Sequence, residues 1–471
     1  MTELINSLPD FTGVFSDKRI DKRANQVLSK LNLGRSSSVR QVTQTDAEQK
    51  SFYRLFNNES FTEEGIKEGI TDRCSQLCKG RHVLSIQDTT EFNLTSQQGR
   101  KKADSGLDRT AKDDVLGFML HSSLVVDADK TTALGYSCIK VWHRETDKPI
   151  RHERNYQQQQ IKDKESYKWI ESADKGKEVL KDASRVTIVA DRESDIYDLL
   201  AGSYGEQTYL LLRSSFNRRL VSGEKLQEHL NNLPVMDEYE LELNGDIRKD
   251  IPKRKAHIEL KWDKVELSKP EKCKNKELPP STAVYVVEAK ENNNSKGVLW
   301  RLYTTHTITT TAAARQIIEW YKQRWHIEQI HRLLKTDGFR IERSQLEQGW
   351  AIRKLTLLAL MATLRILQMM LAYKDESEQQ SAEDAFSSEE QSCLGMINNQ
   401  LQGQTDKLKN TATPSTLRWA TWVIARLGGW KGYASQRNPG PIVLQKGLAK
   451  FYVMFEGWRM YQNFEKDVST R

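Results

Sequence analysis

Two apolar runs of the sequence end in aspartate: HVLSIQ leads into Asp88 and RVTIVA into Asp191. An aspartate at a strand end commonly serves as an N-cap or turn residue, so either one alone says little. Two at equivalent strand ends can converge on one point at a sheet edge, where paired carboxylates suit a hard divalent cation. A third element is more specific. Tyr321, Arg324, Glu328 and Lys335 stand at offsets of three, four and seven, so on one continuous helix at about 100° per residue they share an arc of roughly 60°. Ile327, Ile330 and Leu334 form a separate apolar stripe, which lets such a helix press on a core and aim Tyr, Arg, Glu and Lys at a site. The bland alternative is a solvated face held by Arg324 and Glu328, worth a few tenths of a kcal/mol. Glu91, Glu193 and Asp195 stand close to the two aspartates and compete for metal ligation.

The elements that must position these groups can be read from the rest of the chain. Its 471 residues suggest about three packed units. Lys and Arg number 72 against 64 Asp and Glu, a formal charge of +8, with a pI near 9.0 and mean hydropathy of -0.69. That surplus permits a polyanionic partner without requiring one. Five cysteines without paired metal spacing argue against a disulfide framework and fit reduced cytoplasm, and Cys74 and Cys78 read as structural. MTELINSLPDF has neither the basic start nor the apolar run of a signal peptide. Leu355 to Tyr373 is long and apolar, but Arg365 and Gln368 interrupt it, so it reads as a buried core helix and no membrane is expected.

Residues 1–75 look helical and basic, a candidate DNA-contacting unit. HVLSIQ, GFMLHSSLVVD, ALGYSCIKVW, RVTIVAD and TYLLLR read as strands of a mostly buried sheet, and KESYKWIESADKGKEVLKDA suits an exposed helix. From 214 to 298 a β-rich insertion is expected from EYELEL, HIELKW and AVYVVEA, with a basic segment carrying Arg248, Lys249, Lys253, Arg254 and Lys255. ITTTAAARQIIEWYKQRWHIEQIHRLLK reads as one long helix, and the acidic 374–391 as a linker or mobile loop. Leu444, Leu448, Phe451, Phe455 and Trp458 mark a helix-packing seam, open to packing within the chain or to self-association.

The Tyr, Arg, Glu, Lys pattern resembles the signature of Tn-five-type transposases of the insertion sequence four family. DTT at Asp88, HSSL at His121, KES and KW at Lys164 and Lys168, DRESD at Asp191, LLRS at Arg213, WRLYTT at Trp300 and IARLGGW at Ile424 follow in the family's order; YRLFNN at Tyr53 matches more weakly. The resemblance implies an α/β, RNase H-like (retroviral-integrase-like) catalytic core in which Asp88, Asp191 and Glu328 are the metal-binding catalytic carboxylates. Two Mg²⁺ ions per site are expected, with Mn²⁺ able to substitute. Tyr321, Arg324, Lys335 and Arg213 would hold DNA phosphates, Trp300 would stack an extruded base, and Trp325 and Arg332 join them as DNA contacts. A core aromatic at a strand start is the alternative for Trp300. His326 and His331, five apart, read as DNA-backbone or structural groups rather than metal ligands.

The implied organisation is a DNA-binding domain at 1–75, a catalytic core at 76–213 and 299–373 split by the insertion at 214–298, an acidic linker at 374–412 and a helical dimerisation domain at 413–471. The implied activity is cut-and-paste transposition through a DNA hairpin, by a homodimer on double-stranded transposon ends, in the bacterial cytoplasm at the nucleoid. A structure-selective nuclease makes neither hairpin nor joined product, and a non-cutting inhibitor derived from a transposase would not need the three acids. No methionine lies between Met1 and Met119, so an internal Met start that keeps the fold is not expected. Asp46 and Glu48 interrupt the basic N-terminal segment and are expected to repel DNA phosphates.

Overall fold

A computed structural model describes residues 8–33, 36, 38–102, 104–111, 114–144, 159–243, 254–292, 294, 297–433 and 436–469. The chain forms two compact units: Met1–Cys78, Thr89–Arg151 and His326–Arg471 make the first, and Lys79–Asp88 with His152–Trp325 the second.

The first unit opens with helices α1 (Lys18–Asn32), α2 (Val39–Val42), α3 (Asp46–Phe56) and α4 (Glu63–Cys78). Asp17 caps α1 through Arg19 N, and Thr45 caps α3 through Glu48 N. Phe11, Phe52, Phe56 and Phe61 are fully buried. Asp21 is buried too and accepts from Gly13 N at 2.8 Å and Phe15 N at 2.9 Å, so it holds the entry loop instead of adding to surface charge.

Strand β1 (His82–Asn93) follows, then β2 (Asp108–Arg109), β3 (Leu116–Asp127) and β4 (Ala133–Trp142). β3 pairs antiparallel with β2 and β4. Helix α4 lies close on β4 at Gly135, where a Cβ would come within 2.9 Å of the Cys74 Cβ. Cys74 and Cys78 are buried with sulfurs 3.9 Å apart.

The second unit contains α5 (Tyr167–Val179), β5 (Arg185–Ala190), α6 (Tyr197–Leu200), β6 (Thr208–Arg213), α7 (Leu226–Asn232), β7 (Asp237–Leu243), β8 (Arg254–Ser268), β9 (Ser281–Glu291), β10 (Leu299–Thr304) and α8 (Thr311–Lys322). Its sheet runs β1-β5-β6-β10-β9-β8-β7. β1, β5 and β6 are parallel and the others antiparallel. Val186, Ile188, Val189, Leu210, Leu211 and Leu212 are all buried, as strands covered on both faces require. The β-rich insertion is present but is no separate layer, because β10 bonds both β6 and β9 and the insertion lengthens the same sheet.

Of the insertion's basic residues, Arg248, Lys249 and Lys253 lie outside the described residues. Arg254 pairs with Glu291 and Lys255 with Glu240, so both cations are engaged within the sheet. Helix α5, expected to be exposed, buries one face through Trp169, Ala173 and Gly176.

The long helix expected to run to Lys335 is broken. After α8, Gln323 N and Arg324 N donate to Trp320 O and Tyr321 O three residues back, at 3.1 and 3.0 Å. A new helix α9 (Trp325–Arg332) follows, then a π turn at Leu333–Asp337. The tight turn and the wide one both depart from 100° per residue, so Tyr321, Arg324, Glu328 and Lys335 do not lie on one continuous helix.

The first unit continues with α10 (Gly349–Lys374), α11 (Ser388–Leu401), α12 (Leu417–Leu427) and α13 (Pro441–Ser469). By length and composition α10 could cross a membrane, but 94% of its most apolar window is buried. The segment read as an acidic linker is packed. Ala382, Ala385 and Phe386 are buried in the C-terminal core, and Ser387 and Glu390 form a capping box that starts α11. Glu376, Glu383 and Glu389 are exposed while Glu390 is buried, and the acidic composition hides three apolar anchors. The α13 seam packs within the chain: Leu444, Leu448, Phe451 and Phe455 are buried in that same core, with Trp458 packed against it.

Candidate active site

In the second unit β1 and β5 are parallel with Ile86 opposite Val189, and β5 and β6 are parallel with Val189 opposite Leu211. Two residues further along each strand stand Asp88, Asp191 and Arg213. Residues two apart in a strand share a face. The register therefore brings two carboxylates and a guanidinium to one rank across three neighbouring parallel strands, at the C-terminal ends of β5 and β6, the edge where open α/β sheets bind ligands. Asp88 is not the strand-end residue expected, because β1 runs on past it to Asn93. Asp88 and Asp191 are half-buried. Asp191 also does the ordinary work of a strand-end aspartate: it caps a 3₁₀ turn at Arg192–Ser194, and Oδ1 accepts from Glu193 N at 3.0 Å.

The competing acids are engaged in different ways. Asp195, 3% exposed, accepts from Ser215 N, Phe216 N and the Arg218 guanidinium, which makes it a structural ion and not a metal ligand. Glu193 is exposed and its carboxylate lies 3.6 Å from Lys168 Nζ, an ammonium that is largely buried beside the Trp169 ring. Glu91 accepts from Ala111 N. Neither the Asp195–Arg218 clamp nor the Lys168–Glu193 pair has a signal in the sequence, since each joins residues more than twenty positions apart.

Beside the aspartates, Arg213 Nη2 donates to Leu299 O at 3.0 Å. Tyr321 is buried next to the Arg213 and Arg324 guanidinium groups: burial pushes its phenol pKa up, and the two cations offset part of that rise. The Arg213 guanidinium is the hydroxyl's hydrogen-bonding neighbour. Two guanidinium groups beside one phenol make a place a phosphate oxygen fits. Trp300 is half-buried with its ring 5.8 Å from that of Tyr321, edge to face.

Trp325 closes the second unit at 58% exposed. Glu328, Arg332 and Lys335 belong to the first unit. Glu328 is half-buried and Arg332 exposed on α9, while Lys335 Nζ in the π turn lies 5.6 Å from the Phe92 ring. Burial lowers the pKa of His326 to about 4, so it is neutral at physiological pH and offers no charge to a phosphate. Among the described residues, no group of three or more His, Cys, Asp or Glu side chains is placed to hold a metal ion. The oxygen donors of Asp88 and Asp191 are nevertheless of the hard type that Mg²⁺ accepts, and that ion is commonly held by one or two carboxylates together with substrate phosphates and water.

At the N-terminal helices Lys18, Arg19, Lys22 and Arg40 are exposed. Glu48 accepts from Gln44 N and lies 3.7 Å from Lys30, so it stabilises the start of α3. Asp46 is exposed in the first turn of α3. Asp46→Lys is expected to tighten DNA binding and to steepen the log–log salt dependence by about one, at a cost to α3 of roughly 0.3–1 kcal/mol from the helix dipole. A salt series in a gel-shift assay checks this; an unchanged slope places Asp46 away from the duplex.

Two family models match the chain. The model of the transposase DDE domain matches residues 78–365, and that of a transposase DNA-binding domain matches residues 13–61. Among solved structures, the chain is similar to a piggyBac transposase from a synaptic complex with hairpin DNA, at 10% identity and a TM-score of 0.33, covering 75% of this chain and 70% of that one. With more than half of its length matched by the DDE model, the chain belongs to the DDE-domain transposases, enzymes that cleave DNA and move it.

Proposed function

We propose that this chain is a cut-and-paste transposase of the Tn-five type within the insertion sequence four family, with an RNase H-like core. Its chemistry would be hydrolysis of one strand at a transposon end, attack of the freed 3′-hydroxyl on the opposite strand to form a DNA hairpin, hydrolysis of that hairpin by water to regenerate the 3′-hydroxyl, and transfer of that end into target DNA. The observation that carries the reading is the single rank of Asp88, Asp191 and Arg213 across three neighbouring parallel strands. Asp88 and Asp191 would hold the metal, and Glu328 joins them from the sequence motif. Two bound Mg²⁺ ions, or Mn²⁺ in their place, would supply an activated oxygen nucleophile and stabilise the leaving oxygen.

The chain's own groups do the rest. Arg213, Arg324 and the Tyr321 hydroxyl grip phosphate oxygens, and the exposed part of Trp300 receives an extruded base. Lys335, Arg332 and Trp325 extend the DNA contacts. A homodimer on two paired ends belongs to this reading. Because the buried seam of α13 is filled, its partner would meet the outward Val453, Met460 and Tyr461. The enzyme would work in the bacterial cytoplasm, at the nucleoid.

The test is an end-labelled terminal-repeat duplex with Mg²⁺, resolved on a denaturing gel. A hairpin followed by a strand-transfer product is expected. Nicks alone, with neither product, would reduce the enzyme to a nuclease.

A further inference from the structure

Phe216 is 61% exposed, although the chain places most of its phenylalanines in its core. It lies three residues beyond Arg213, in a turn that begins where Ser214 N donates to Arg301 O at 2.8 Å, next to Trp300 in sequence. The turn is held from beneath by buried Asp195. Its Oδ2 accepts from Ser215 N at 2.7 Å and Phe216 N at 2.9 Å, while Oδ1 accepts from Arg218 Nε at 2.8 Å. The Arg218 guanidinium also reaches Asp195 O and lies 5.7 Å from the Phe216 ring centroid.

The backbone at Phe216 is thus tied to buried Asp195, which fixes the position from which the ring projects. An apolar ring kept in water on a rigid turn, one strand end away from a candidate metal ligand, is arranged to meet something flat and apolar. On a DNA-cleaving enzyme, the flat apolar surface available beside the phosphates that Arg213 would grip is the face of a base.

We propose that Phe216 is a second base-stacking residue, a wedge that occupies the base step beside the scissile phosphate and helps to open it. The proposal rests on the reading that DNA lies over the Asp88, Asp191 and Arg213 rank. Trp300 would receive the extruded base, whereas Phe216 would fill or prop the gap that base leaves. Planarity matters to stacking, so tryptophan should replace phenylalanine and leucine should not.

The experiment uses the full chain with Mg²⁺ and two end-labelled terminal-repeat duplexes, one fully paired and one mismatched at the base steps flanking the cleavage site. Phe216→Ala and Phe216→Leu are expected to slow cleavage of the paired duplex by about tenfold to hundredfold. Phe216→Trp should stay within about threefold of wild type, and the mismatched duplex should restore most of the alanine loss because its unstacking is already done. Alanine and wild type cleaving the paired duplex equally would overturn the proposal. So would an alanine loss that the mismatch does not relieve, which would mark a scaffold role. Wild type cleaving neither duplex would instead remove the functional reading beneath it.

Discussion

Asp191→Asn is expected to lower cleavage of transposon ends by about 10³-fold while leaving end binding nearly unchanged. The substitution is close to isosteric, and the asparagine oxygen can still accept from Glu193 N, so the 3₁₀ turn keeps its cap. What is lost is the negative charge on one of two adjacent hard donors. Metal-assisted charge stabilisation in phosphoryl chemistry is worth several kcal/mol, and each 1.36 kcal/mol is a factor of ten, which gives about 10³. Glu328→Ala should show a loss of the same order if the third carboxylate belongs to the same chemistry. Chelation of divalent ions should abolish cleavage by the wild type, and added Mg²⁺ should restore it. Cleavage by Asp191→Asn within about tenfold of wild type, in a gel-shift-matched assay, would remove Asp191 from the metal site. Asp195→Asn, four residues on, should fail differently: its carboxylate faces Arg218 and two backbone amides, so the variant should lose stability before it loses chemistry.

The contrast between Asp191 and Asp195 shows how far the sequence is legible here. Strand ends could be read because β5 and β6 are unbroken apolar runs, and a parallel sheet buried on both faces has no other pattern. That placed Asp191 at the end of β5, and the register sets it in one rank with Asp88 and Arg213. The apolar run HVLSIQ ends at Gln87 but β1 continues to Asn93, so Asp88 is a mid-strand residue and not the strand end expected. The roles of Glu193 and Asp195 could not be separated, because pairing with Lys168 or Arg218 is a tertiary fact that leaves no periodicity.

Two larger features misled for physical reasons. No glycine or proline marks the turn at Gln323 and Arg324, and replacing two i→i−4 bonds by i→i−3 bonds costs too little to need a breaker residue. In 374–391, the low apolar content concealed Ala382, Ala385 and Phe386, which are enough to pin a short segment, and one of its acids, Glu390, is itself buried. The seam on α13 shows the complementary limit: a four-three spacing identifies the face that packs, and says nothing of whether its neighbour is the same chain.

The second large effect is expected far from the chemistry, at Arg365 in the middle of α10. Its side chain is 1% exposed. Nη1 donates to Tyr452 Oη at 2.5 Å, and Nη2 lies 3.8 Å from the Glu390 carboxylate. The guanidinium also lies 4.4 Å from the Phe386 ring centroid. Tyr452 in turn donates to Glu390, whose other oxygen accepts from Ser387 N at 2.7 Å and so caps α11. Burial pushes the Tyr452 phenol far above its ordinary pKa, which keeps it protonated and able to donate. One cation therefore ties α10 to α11 and α13, and Arg365→Ala leaves a buried carboxylate without its counter-charge. The expected loss is about 3–5 kcal/mol, since a buried pair stripped of one partner retains the desolvation cost of the other. Replacing both ions, Arg365→Met with Glu390→Leu, should recover most of that loss. Chemical denaturation followed by hydrogen exchange in α10, α11 and α13 would measure both variants. A single-variant loss below about 0.5 kcal/mol would mean that water reaches Glu390 and that this core is looser than its packing implies.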